Sequence, residues 1–379
     1  MCIGGVDTPG EAAPATLETA MEHGIDDSAR AMANDPRSTN SGAWVNEGVF
    51  EVAPGVHRIP LPLPNDGLRA VNVYVISTPT GLTLIDGGWA IPQSRALLEK
   101  GIKSLGAELT DIENFYVTHV HRDHYTLATA VRKEVGSTVH LGEGERPTLE
   151  YLLDDARQVL ASELDLLITL GAEPLAKRMR EIFPEAPTKA AKHGEIWEMP
   201  DKWLGGETLT LAQDRRLEAV PTPGHTAGHV VFHDTDAGLL FAGDHVLPTI
   251  TPSIGFEPVR VDNPLGSFLR SLAIVRERPD AMLLPAHGPV TDSVHARVDE
   301  LLAHHATRLD ETEDAIRQGA STAYDAAAIL RWTRHQRHRD ELDPFNAMLC
   351  VAETGAHLDL LAAQGRLVKD TSDGIRRYR

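Results

Sequence analysis

The sequence predicts an α/β sandwich, and three observations predict it. Over residues 50–117, short runs rich in Val, Ile, Leu and Tyr surround one helical segment, a strand-helix-strand order. Over 207–290 the pattern is again β-rich. Short apolar runs in both halves hand over directly to loops carrying His or Asp. Loops at one edge of a strand scaffold are where ligands converge.

Residues 1–45 are rich in Ala, Thr, Ser, Pro, Gly, Asp and Glu. They read as a flexible N-terminal arm with a short amphipathic helix over 17–21. An arm that reaches a partner subunit is the alternative. Strands begin near Val49, and runs at 50–53 and 56–59 bracket the turn Pro54-Gly55. Runs at 71–76 and 82–86 read as a hairpin around Pro79-Thr80-Gly81. Asn72 and Tyr74 alternate with apolar neighbours and read as ordinary strand residues. A helix over 92–105 leads to the strand 113–117. A second helix over 125–135 stops at Gly136.

Between about 145 and 200 the β pattern breaks into an insertion. Apolar residues recur at roughly helical spacing over 148–170, and another helix spans 174–182. The insertion is either a helical excursion packing on its own core or a lid with Trp197 and Trp203 at its base. A lid lined by Leu, Met and Ile would favour substrates with an apolar or acyl portion. The turn-rich stretch 248–255 reads as a pocket wall, and a helix runs through 267–278. After 292 the composition turns helical, over 294–318, 323–332 and 344–364, the last stopped by Gly365. Residues 366–378 then read as a small hairpin. The organisation is thus an arm (1–45), a sandwich domain (46–292) with its insertion, and a C-terminal domain (293–379).

The 379 residues carry a formal net charge of −19. That balance argues against broad binding to nucleic acid or anionic membranes, a local basic groove aside. Cys2 and Cys350 give no readable disulfide framework. No apolar run approaches membrane length. The first thirty residues lack a basic start and an apolar core, so a cytoplasmic protein is expected.

The densest chemistry lies in Thr118-His119-Val120-His121-Arg122-Asp123-His124, where a strand hands over to a helix. On an extended segment, side chains at i and i+2 point the same way. His119 and His121 can therefore bind one metal ion together. Asp123 and His124 follow the turn and can serve a second. Imidazole with carboxylate suits zinc, with manganese and iron as rivals. Further ligand types follow strand-like runs at Pro223-Gly224-His225, Gly243-Asp244-His245 and Pro285-Ala286-His287-Gly288.

In these residues the chain resembles the metallo-β-lactamase superfamily. The match is the His-x-His-x-Asp-His box at 119–124, His225, Asp244, His287, and the strand-end Asp86-Gly87-Gly88. It covers roughly residues 50–290. The resemblance implies a four-layer αββα sandwich and a two-metal site. His119, His121 and His225 would hold one ion, Asp123, His124 and His287 the other, and Asp244 would bridge both. Asp86 would lie beneath the site, and His229, four residues after His225, would be either a further ligand or, as the family pattern implies, packed behind it. His245 would either contact substrate or cap its loop. The commonest zinc penicillinases carry Cys where this chain has Asp244. The carboxylate matches glyoxalase-type and nuclease-type members, which argues against antibiotic hydrolysis.

The implied activity is a dinuclear metal-dependent hydrolase. A hydroxide between the ions would attack the carbonyl of a thioester, ester or lactone, with a small or acyl substrate as partner. Asp123 would hold the attacking water and exchange its proton. The C-terminal helices and hairpin look like the winged-helix appendage of one superfamily branch. Winged helices often bind DNA, and Arg331, Arg334, Arg337, Arg339, Arg376, Arg377 and Arg379 keep a nuclease or phosphodiesterase as the alternative. Packing or a homodimer contact would also occupy these arginines. A non-catalytic binder is the third reading.

Overall fold

The computed structural model describes residues 42–64, 67–154, 160–182, 197–212, 215–333 and 335–379. The arm expected over 1–45 lies outside the described residues up to position 41, as do 155–159 and 183–196 of the insertion and Arg334.

Among the described residues, twelve strands build two facing sheets. Strands β1 (Phe50–Ala53), β2 (Val56–Pro62), β3 (Ala70–Ser77), β4 (Leu82–Ile85), β5 (Ile112–Tyr116), β6 (Thr138–Gly142) and β7 (Lys202–Leu204) lie side by side in chain order. Strands β8 (Thr208–Ala212), β9 (Arg215–Pro221), β10 (Val230–Asp234), β11 (Leu239–Gly243) and β12 (Met282–Pro285) form the second sheet, ordered β12-β11-β10-β9-β8. The last strands of each sheet run parallel, β4 to β7 in one and β11 with β12 in the other.

Both faces of both sheets are covered, so the strands are apolar on each side. Along β3, Tyr74 and Ile76 enter the core between the sheets, while Val71, Val73 and Val75 face outward. Along β11, Leu239 and Phe241 face inward and Leu240 and Ala242 outward. The period of two is the register of a strand pressed from both sides. Tyr74 and Phe241 meet edge to face across the sheets, ring centroids 5.4 Å apart.

Helices α1 (Pro92–Ser104) and α2 (Arg122–Val135) cover the outer face of the first sheet through Leu98, Ile102, Tyr125 and Val131. The insertion contributes α3 (Arg146–Leu153), α4 (Ala161–Thr169) and α5 (Glu173–Ile182). The helix expected over 148–170 is therefore split: α3 ends at Leu153, and Leu160 precedes α4 with a left-handed φ of 61°. Helices α6 (Pro264–Glu277), α7 (Val294–Arg317), α8 (Ala323–Ile329) and α9 (Pro344–Ala363) complete the set. Leu164, Leu167, Leu175 and Met179 pack in one core with α6, α7, α9 and the outer face of the second sheet. These insertion side chains are spent on packing, as in the helical-excursion reading. The C-terminal hairpin pairs β13 (Lys369–Asp370) with β14 (Arg377–Tyr378), and Tyr378 is buried in that same core.

The layers are thus helix, sheet, sheet, helix, as expected. Phe268 of α6 is fully buried and stands between His245 and His305, ring centroids 5.2 and 5.5 Å away. Phe268→Ala is expected to cost about 3–5 kcal/mol. Urea denaturation reads this directly, and a loss below about 1 kcal/mol would contradict the packing described.

Candidate metal centre

Five strand ends deliver the site. Asp86 follows β4, Thr118 to His124 follow β5, His225 follows β9, Asp244 follows β11 and His287 follows β12. Parallel pairing of β4 with β5 and of β11 with β12 puts these ends on one edge of the sandwich.

Two adjacent groups of side chains could each hold a metal ion: His119, His121, His225 and Asp244, and then Asp123, His124 and His287. Within each group the ligand atoms all lie within 4.8 Å of one another. The carboxylate of Asp244 faces both. Its Oδ2 is 3.6 Å from His225 Nε2, and its Oδ1 is 3.7 Å from His124 Nε2 and 3.4 Å from His287 Nε2. Asp123 Oδ2 lies 3.4 Å from His287 Nε2 and 3.6 Å from His124 Nε2.

The far nitrogen of four rings is fixed from behind. His225 Nδ1–H donates to Ser253 O and His287 Nδ1–H to Ala70 O, both at 2.8 Å. Carbonyls only accept, so Nδ1 carries a proton in each ring and Nε2 is the atom turned to the site. His124 Nδ1–H donates to Asp86 Oδ2 at 2.9 Å. Thr118 Oγ1 donates to the Asp86 carboxylate and accepts from His119 Nδ1–H at 3.1 Å. Asp86 also accepts from Thr118 N at 2.8 Å and holds φ at 61°, a strained value that Asp tolerates better than most residues. It supports two ligand rings and reaches no ligand position itself.

A cation fits this donor set. His124 Nε2, His287 Nε2 and Asp244 Oδ1 are buried and make no good hydrogen bond among the described residues. Buried polar atoms without partners are costly and rare. His119 Nε2 and His225 Nε2 face His121 Nδ1 at 2.9 and 3.1 Å, three ring nitrogens turned on one point.

The electrostatics agree. Burial pushes the Asp123 carboxyl up, but His124, His287 and His121 overcome it and hold it below the usual range. Burial pushes His124 and His287 down, yet the surrounding aspartates raise them to about 9 and about 10. Burial, reinforced by neighbouring rings, lowers His121 to about 3. Burial also lowers His225, to about 4.

His229 is otherwise engaged. Its Nδ1 meets Thr222 Oγ1 at 2.9 Å, and its Nε2 accepts from Asp244 N at 3.2 Å. It therefore orients the Asp244 backbone. Gly243 precedes that aspartate at φ 51°, and a Cβ there would lie 2.7 Å from His229 Nε2 and Thr118 Oγ1. His245 is fully buried between the His229 and Phe268 rings, and neither of its ring nitrogens makes a hydrogen bond of good geometry among the described residues.

Asn72 and Tyr74 are not the ordinary strand residues expected. Asn72 Nδ2 donates to Pro285 O and Gly288 O, both at 2.9 Å, and Tyr74 Oη donates to Pro285 O at 2.8 Å. The two side chains clamp the His287 loop onto the first sheet. Of the insertion's tryptophans, Trp197 stacks on Tyr125 and Trp203 receives Arg146 over its ring.

Comparison with known proteins agrees with the geometry. The family described as the metallo-beta-lactamase superfamily matches residues 66–287. A Bacillus subtilis (strain 168) protein named "Probable metallo-hydrolase YqjP" is 22% identical across 81% of this chain and 91% of its own. An Aspergillus fumigatus protein named "Atrochrysone carboxyl ACP thioesterase" is 25% identical across 72% of this chain, which spans only 51% of that protein. A solved metallo-beta-lactamase family protein from Thermus thermophilus superposes with a TM-score of 0.68 at 27% identity, covering 86% of this chain and 99% of that one.

With His124 and His287 raised to about 9 and about 10 by the surrounding aspartates, both are expected to carry a proton at neutral pH when no metal is bound. Their folded pKa values lie above the unfolded value, so their contribution to stability is complete below about 6.5 and is lost as pH rises through about 9–10. Ligation must displace those protons. Zinc uptake at pH 7 is expected to release about two protons and to tighten towards pH 9. Calorimetry in buffers of differing ionisation heat measures this, and zero release would contradict it.

Proposed function

This chain belongs to the metallo-β-lactamase superfamily, and on that premise we propose that it is a hydrolase with two divalent ions, zinc foremost, acting on a thioester, ester or lactone. The observation that carries the reading is the shared Asp244 carboxylate between two ligand sets. Superfamily members are generally hydrolases, and relatives of this chain are named metallo-hydrolase and thioesterase.

A bound pair of such ions would bring the pKa of a shared water to about neutral and polarise the scissile carbonyl. The residues of this chain do the rest. Asp123 has the more solvent-accessible carboxylate of the two, with 14% of its side chain exposed against 8% for Asp244. It holds the attacking water by a hydrogen bond and takes up its proton. Water adds to the carbonyl carbon, the C–S or C–O bond breaks, and Asp123 returns the proton to the departing sulfur or oxygen. Asp86, Ser253 and Ala70 keep the imidazoles from turning during the cycle.

The nuclease reading has less support. Arg366 pairs with Asp310 and Glu313, Arg376 with Asp359, and Arg377 with Asp373. Arg339 pairs with Asp340 and lies over the Tyr324 ring. Three of the seven arginines named above, Arg339, Arg376 and Arg377, are thus neutralised, which weakens a phosphate track built on them. The helices and hairpin after 293 are read here as winged-helix-like in shape and as packing in role. Among the described residues no helix is long and apolar enough to cross a membrane, and a cytoplasmic setting is part of this proposal.

The test is direct. Protein loaded with zinc or manganese is offered acyl-thioesters, lactones and single-stranded RNA in parallel. Cleavage of a thioester or lactone is expected, and cleavage of RNA alone would overturn the reading. Asp244→Ala is expected to lower metal affinity and turnover by more than about 100-fold, because losing a mere support for a ligand already costs roughly 10–100-fold. Retention of both would remove Asp244 from its assigned place.

A further inference from the structure

Glu145 is fully buried beside the metal centre and is absent from the donor set. It stands between the end of β6 and the start of α3. Thr226 Oγ1, itself fully buried, donates to Glu145 Oε1 at 2.5 Å. The backbone of Val120 and Gly228 lies near the same carboxylate, without a hydrogen bond of good geometry to it. Its Oε2 makes no hydrogen bond of good geometry among the described residues. The one hydrogen bond of good geometry to this carboxylate therefore comes from the His225 loop, and its nearest other backbone includes the His119–His121 loop. Val120 lies between His119 and His121, and Thr226 directly follows His225.

The backbone is built to let this carboxylate in. A Cβ on Gly142 would lie 1.9 Å from Gly228 O, one on Gly144 2.6 Å from Ala227 O, and one on Gly228 2.1 Å from Glu145 N. The segment 142–145 thus lies bare against 227–228. From the other side, Ala227 N donates to Glu257 Oε1 at 3.1 Å. The His225 loop is held between two acids. A buried carboxyl group is expensive to desolvate, and packing alone would be served by Met or Leu of similar size.

We infer that Glu145 is a positioning residue: it spans the His119–His121 loop and the His225 loop and sets the gap at which their three imidazoles meet one cation. The inference rests on the two-ion reading above and deepens it. Among the described residues no hydrogen bond or ion pair joins Glu145 to Asp123, His124 or His287, so its removal should loosen one ion and spare the other.

Glu145→Gln keeps the shape but sets an amide N–H against the backbone of Val120 or Gly228. Thr226→Val keeps the shape and removes the hydroxyl. The full chain, stripped by chelator, is titrated with cobalt(II) against a chromophoric competitor, while the urea midpoint of the metal-free protein is followed separately. The wild type should take two equivalents. In each variant one equivalent should weaken by about tenfold or more, within the range for removing a ligand's support, with the other unchanged and the cobalt d–d bands altered. The double variant should fall short of the summed effects. If both equivalents keep wild-type affinity in either folded variant, Glu145 does not position the site. Equal weakening of both, tracking the urea midpoint, would also overturn it, as a purely structural role. Should Glu145→Gln fail to fold, Thr226→Val alone decides by the same criteria. If the wild type takes a single equivalent, the two-ion reading fails, and the inference then stands or falls on whether that one affinity weakens.

Discussion

Five imidazoles and two carboxylates turn their lone pairs on a common volume from which solvent is largely excluded. Three of those atoms, on His124, His287 and Asp244, find no good partner among the described residues. Unpartnered acceptors at this density repel one another and forfeit their hydration, which in a folded chain calls for positive charge. In the metal-free protein that charge comes from protons, and this is why His124 and His287 titrate so high. A divalent cation supplies it in more concentrated form. The remaining architecture holds these seven groups in place until it arrives.

That holding is done at one remove. Ser253 O, Ala70 O, Asp86 and Thr118 each take the back of a ring, so rotation of any of these imidazoles breaks a buried hydrogen bond. The supports come from both halves of the sandwich. Ala70 and Asn72, on β3, reach the His287 loop after β12, more than two hundred residues away. The dry interface between the sheets, with Tyr74 against Phe241, fixes that distance. Packing and site geometry are therefore one problem: a shift in the sheet stacking would carry the His287 loop away from Asp123.

Much of this was legible before any coordinates. The i and i+2 spacing of His119 and His121, and a His or Asp directly after each apolar run, locate the site because strands point alternate side chains to one face. Asp86 and His229, expected behind the ligands, bond to His124 and Thr118 and to Thr222 and the Asp244 backbone. Asn72 and Tyr74 are misread as ordinary strand residues. Their alternation with Val71, Val73 and Val75 looks like one wet face, whereas both faces of β3 are buried. Polar side chains on a doubly covered strand must find partners, and that signal was available. The break between α3 and α4 was not. The leucines of 148–170 keep helical spacing through it, and only the left-handed Leu160 reveals the turn. Nor does the sequence tell that the C-terminal helices would share a core with the second sheet, since helical periodicity names a buried face without naming what buries it.

Anomalous diffraction at the zinc edge from crystals of the zinc-loaded protein tests the central claim most directly. Two peaks roughly 3.5–4 Å apart, with Asp244 between them, are the expected result. No peak at this edge of the sandwich, or density showing His225 or His287 turned away from the other five ligands, would contradict it.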